Sequence, residues 1–193
     1  MRRTASVSTP LTQDITNTGV GVNVALASAG GVASASSTFG AGTPVAAVNN
    51  NERAGANWGS GGGWADATAS TYPDWVQIDF NGSKTIDRVV VYTIQDNYAN
   101  PSEPGDNQAF TLYGVTAFTV QGWNGAAWVT LATVSGNTLV KRSVSFAAFT
   151  TDRIRVSITN ALASYSRLTE VEAWGKAATT TTLTSAPNPA QFG

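Results

Sequence analysis

The 193-residue sequence contains no cysteine and no histidine. Without cysteine there are no disulfides and no thiolate metal sites. Without histidine the commonest general base is gone, and with it the usual nucleophilic triads and most zinc or iron sites. Any metal must be held by oxygen, which points to calcium. Charge is also scarce. Asp, Glu, Lys and Arg make up 12% of the chain, about half the usual share. The net charge is -1, and no basic cluster is longer than Arg2-Arg3 or Lys141-Arg142. That excludes the basic footprint a nucleic-acid partner needs. No apolar run approaches the roughly 20 residues of a membrane span. The N-terminus, MRRTASVSTPLTQDITNTG, lacks the apolar core of a signal peptide.

What fills the chain instead is Ala, Thr, Ser, Gly and Asn. This weakly charged, polar composition suits an extracellular or particle-surface β-protein. Residues 1–20 lack periodicity and read as an N-terminal arm or tail. Residues 177–193 carry a threonine run with Pro187 and Pro189, and read as a linker or the start of an immunoglobulin-like domain. One domain, residues 21–176, lies between them.

Within that domain the periodicity is that of strands. Trp75 to Phe80 alternates, and Asn81-Gly82 follows as a turn. Ile86–Ile94 is rich in β-branched residues. Phe118–Trp123 and Ala127–Leu131 flank Asn124-Gly125, the strongest hairpin signal in the chain. Further strands are expected at 139–146, 153–159 and 168–174. No segment shows a helical apolar stripe, so the pattern predicts an all-β, antiparallel β-sandwich.

Two kinds of residue stand out. The stretch WGSGGGWADATASTYPDWVQIDF, from Trp58, sets two tryptophans and an aspartate on a glycine-rich loop before a strand. Trp64 either folds back over the core or faces outward as a platform, whereas Trp58 is expected in the core. Trp64, Tyr98 and Tyr165 offer faces on which the C–H side of a sugar could stack. Asp66, Asp96, Asn97 and Arg167 stand beside them in sequence and supply planar polar partners for hydroxyls. On the alternative reading, Arg167 pairs with Asp96 and only ties loops together. Trp75, Trp123, Trp128 and Trp174 sit in alternating strands and read as packing residues. Glu170 and Glu172 are two apart on a strand and share a face, an arrangement unlike the opposed carboxylates of a glycosidase.

Four segments, taken in order, resemble the discoidin-like, coagulation-factor type C domains of the galactose-binding-like superfamily. They are Asn23–Ser37, Ala46–Trp58 (AAVNNNERAGANW), Pro73–Tyr92 (PDWVQIDFNGSKTIDRVVVY) and Tyr165–Gly175 (YSRLTEVEAWG). The resemblance implies a jelly-roll sandwich of about eight strands with ligand loops at one end. It also implies a structural calcium, held by Asn49, Asn51 and Glu52 from the loop and Glu170 from the last strand. Calcium takes six to eight oxygens. The other reading makes Asn49, Asn50 and Asn51 a simple turn. Where the family often carries Asp-Gly-Asp, this chain has Asn49-Asn50-Asn51, and the histidine of many sugar-binding members is absent.

The resemblance further implies a non-catalytic module that binds a glycan or glycoconjugate, serves in adhesion, and works outside the cell. The competing expectation is a structural or assembly protein of an extracellular or phage particle, whose tails grip neighbouring subunits.

Overall fold

The computed structural model describes residues 21–175. The two tails, and with them the linker, immunoglobulin-like and subunit-gripping readings, lie outside the described residues. Among the described residues there are eight strands: β1 Val22–Asn23, β2 Val32–Ala35, β3 Trp64–Ala65, β4 Asp74–Thr93, β5 Val115–Trp123, β6 Trp128–Val134, β7 Lys141–Ala161 and β8 Arg167–Gly175. All pairings are antiparallel, as the alternating pattern predicted. No helix among the described residues is long and apolar enough to cross a membrane.

The two long strands make the architecture. β4 and β7 run 20 and 21 residues and pair along most of their lengths. Their register breaks between Asp79 and Lys84. Before the break, β4 pairs with β2 and with Arg153–Ile158 of β7; after it, with β8 and with Phe149–Thr151 and Lys141–Ser145 of β7. The ribbon therefore takes part in two layers. One holds β2, β5 and β6, and the other holds β1, β3 and β8. Asn81-Gly82, read as a turn between strands, is instead a bend inside β4, with Gly82 at φ +76°. A bulge can turn a ribbon without ending its pairing. Likewise the expected strands at 139–146 and 153–159 are two halves of β7. The Asn124-Gly125 hairpin stands as expected: Trp123 pairs with Trp128, and the Asn124 side chain accepts the N–H groups of Ala126 and Ala127.

Alternation sorts the side chains. Val76, Ile78, Phe118, Val120, Ile154 and Val156 meet Ile86, Val89, Val91, Val171 and Ala173 in one buried core. Each such Val, Ile or Phe side chain contributes about 1.5–3 kcal/mol by leaving water. Along the first half of β4 the intervening Gln77 and Asp79 are only partly buried, and so are the four strand tryptophans. They pack, but against arginines on the outer faces rather than in the core. Arg155 lies 4.4 Å from the Trp75 ring and 4.2 Å from that of Trp128. Arg153 lies 5.9 Å from Trp123, and Arg88 lies 5.0 Å from Trp174.

Candidate functional site

The loops at one end of the sandwich gather aromatic side chains from four separate segments. Tyr98 stands edge-on to Tyr113, with ring centroids 5.7 Å apart. The Arg167 guanidinium lies 5.6 Å from the Tyr113 ring and 5.3 Å from that of Tyr165. Tyr165 in turn meets Phe39 edge-on at 5.5 Å. Beside Phe39 opens a pocket of about 430 Å³, lined by Phe39, Thr43, Trp58, Tyr165, Arg167 and the glycines of two loops. Phe39 is 63% exposed, a large apolar surface offered to solvent for which the fold itself has no use.

Arg167 is held in place by its own loop. Its guanidinium donates to the carbonyls of Leu162, Ala163 and Tyr165, each at 3.2 Å. Burial lowers its pKa from the ordinary arginine value. Three of its five N–H donors are thereby named, which leaves polar capacity facing the pocket. The pair with Asp96 that the alternative reading offered does not form. Asp96 instead accepts the N–H groups of Thr111 and Leu112 and the Thr111 hydroxyl, pinning the loop that carries Tyr113. Desolvation opposes its ionisation, but these bonds outweigh it and hold the carboxyl below its ordinary range.

The glycine loop settles Trp64 on the first of its two readings and places Trp58 against expectation. Trp64 is fully buried, and its indole N–H donates to the Ser37 carbonyl at 2.9 Å. As part of β3 it pairs with Leu168 of β8, so its side chain is drawn inward. Trp64 is therefore core and not a ligand platform. Trp58 is the half-buried one that lines the pocket. Its ring lies on Gly63, where any Cβ would collide with it. A loop that glycine leaves free by propensity is thus set by close packing.

Asp66 is also buried and unable to meet a ligand. It accepts from the backbone of Thr68 and Ser166, both at 2.7 Å, and from the Thr68 hydroxyl. Ser166 also donates to the buried Asp74, whose pKa is raised by burial and then by nearby Asp66. Asn97 is exposed and donates only to Asn100, closing a local turn. Of the seven ligand residues read from the sequence, the structure joins Tyr98, Tyr165 and Arg167 in one strip. It adds Phe39, Trp58 and Tyr113.

The asparagine turn lies against β8. Asn49 is buried, and its amide nitrogen donates to the carbonyls of Ala25 and Gly31. The carboxylate of Glu52 accepts the backbone N–H groups of Ala54, Gly55 and Ala56. The Asn51 side-chain oxygen accepts from Arg53, and the Asn51 backbone N–H donates to both oxygens of Glu170 at 3.2 Å. Arg53 also binds Glu172 and lies 5.8 Å from the Tyr92 ring. Glu170 is fully buried, and desolvation pushes its pKa up to about 8. These four side chains do not converge as an oxygen cage. Among the described residues no three acidic side chains form a cluster able to hold a metal. An N–H donor aimed at Glu170, and a guanidinium already on Asn51, do not fit a six-to-eight-oxygen shell for calcium.

Residues 46–156 match the family of F5/F8 type C domains described as NedA-like, galactose-binding. The chain belongs to this family. The galactose-binding-like architecture extends beyond the matched residues. A chitosan-binding module of a chitosanase/glucanase from Paenibacillus sp. IK-5 superposes with a TM-score of 0.59 at 23% identity, covering 80% of this chain and 99% of that one. The family 32 carbohydrate-binding module of Clostridium perfringens NanJ, in complex with galactose, gives 0.58 at 12% identity over 80% and 99%. A fucose binding module of Streptococcus pneumoniae gives 0.59 at 20% identity over 81% and 96%. At these identities the likeness establishes the shared fold. No curated protein matches the chain.

Proposed function

We propose that this galactose-binding-like domain is a non-catalytic carbohydrate-binding module and that the pocket between Phe39, Trp58, Tyr165 and Arg167 is its glycan site. One observation carries the reading: exposed and half-buried aromatic rings from separate loops converge on an open pocket around an arginine whose position its own loop holds. A sugar ring would lay its C–H face on Phe39 or Tyr165. Its hydroxyls would meet the remaining Arg167 donors, the Thr43 hydroxyl and the backbone of the glycine loops. The chitosan-binding module, the module in complex with galactose and the fucose binding module support a saccharide as the ligand class. No carboxylate lines the pocket, so its wall lacks the opposed pair a glycosidase uses. Calcium is not part of this proposal, because the donors at the asparagine turn do not suit it.

A single shallow site binds weakly, so attachment to a glycan-bearing surface would rest on several copies. That suits an adhesive role outside the cell or on a particle. A glycan array followed by calorimetry tests the reading. Tyr165→Ala should weaken the best array hit at least roughly tenfold, as truncated aromatic anchors do, while the melting temperature stays close to that of the parent. Equal affinity in parent and variant would contradict the assignment of the site.

A further inference from the structure

A second concavity, larger than the loop-end pocket, lies elsewhere among the described residues. It lies on the outer face of the layer formed by β8 and the second half of β4, a cleft of about 660 Å³ against 430 Å³ at the loop end. Its floor holds Trp174, Arg88, Val90 and Tyr92, and its walls come from Arg53, Lys141 and the segment carrying Glu103 and Asp106. The polar groups there are fixed. Glu172, 2% exposed, accepts from Arg53 and from the Trp174 indole N–H at 2.8 Å. That bond sets the tilt of the indole.

Charge in the cleft is unevenly matched. Every acidic residue lining it has a cationic partner: Glu172 and Glu103 with Arg53, and Asp106 with Lys141 at 2.6 Å. Two arginines are left over: Arg142, whose Nε is buried without a partner, and Arg88, which has no hydrogen-bond or ion-pair partner among the described residues and lies over the Trp174 ring, 5.0 Å from its centre. A guanidinium fork left open beside an aromatic surface matches a planar carboxylate that is joined to an apolar ring face. We propose that this cleft is a second saccharide site, separate from the loop-end pocket, and that it takes a uronate-containing oligosaccharide with the sugar carboxylate on Arg88. Lys141 and Arg53 then meet hydroxyls at the cleft's rim while keeping their acidic partners.

The test is a titration of the full chain with trigalacturonate, read by two-dimensional ¹H–¹⁵N NMR, with galactotriose as the uncharged control. Trigalacturonate should shift the Trp174 indole N–H signal. Arg88→Gln should weaken that binding at least tenfold. Arg88→Lys, which keeps the charge but loses the fork, should fall between. Phe39→Ala, in the other pocket, should leave it within twofold. A melting curve shows that each variant is folded. The proposal is overturned if trigalacturonate moves only signals around Phe39 and Tyr165, if folded Arg88→Gln binds as the parent does, if galactotriose binds equally well at Trp174, or if no saturation is reached.

Discussion

The aromatic loop end and the asparagine turn are both irregular, polar tips held against the same last strand, yet they are spent differently. At the turn almost every side-chain oxygen is consumed within the protein: Glu52 by three backbone N–H groups, Asn51 by Arg53, and Glu170 by the Asn51 backbone. At the loop end Asp96 is satisfied while Arg167 keeps donors in reserve, and the aromatic faces beside them stay open, with Phe39 and Tyr98 63% and 42% exposed. The difference teaches that residue type alone does not mark a site. What marks it is the surface left over once internal bonds are made.

The sharpest way to break this comparison is within the glycine loop, where Trp64 belongs to the core and Trp58 to the pocket. Trp64→Ala should destabilise the domain by about 3–5 kcal/mol, the range for deleting a large buried aromatic, read from denaturant unfolding. Trp58→Ala should cost clearly less stability than Trp64→Ala and weaken the array-selected glycan roughly tenfold. A reversed pair of effects would mean that the two ends of the loop have been misassigned.

A smaller effect separates the asparagine turn from a metal site. The folded-state pKa of Glu170 is raised to about 8 by burial, above the ordinary glutamate value. Between those values the folded state binds more protons than the unfolded one, so this group's contribution to stability falls as pH rises from about 4.3 to 8. Glu170→Gln should flatten that part of the pH–stability curve. In the same experiment, millimolar calcium or a chelator should leave the melting temperature at pH 8 unchanged. A calcium-dependent rise, lost in Glu170→Gln, would put the ion back at the turn. The smallest effect belongs to Asn97. Its side chain bonds only to Asn100 within an exposed loop, so Asn97→Ala should change neither stability nor glycan binding measurably.

Much of the fold was legible because strand alternation is a local signal. Val76, Ile78 and Phe80 face the core while Trp75, Gln77 and Asp79 do not, and that follows from the spacing alone. What stayed hidden is non-local. An Asn-Gly pair reads as a chain reversal whether it closes a hairpin, as at Asn124-Gly125, or bends one continuous strand, as at Asn81-Gly82. The choice between the two readings of Trp64, and the placing of Trp58 at the pocket, hang on the pairing of Trp64 with Leu168, and nothing local reports that pairing. Tyr98, Tyr165 and Arg167 were found as aromatics and a cation on loops. Phe39 was missed, although a lone large apolar residue among Ser36, Ser37, Thr38 and Gly40 was a usable signal.

The most direct measurement is an NMR titration of the ¹⁵N-labelled chain with its strongest neutral array ligand, mapping every shifted amide and indole. Shifts centred on Phe39, Gly59 and Tyr165, with the Trp58 indole moving and the Trp64 indole still, are the predicted result. Shifts that bypass those loops and cluster at the asparagine turn, or a moving Trp64 indole beside a silent Trp58, would contradict the account.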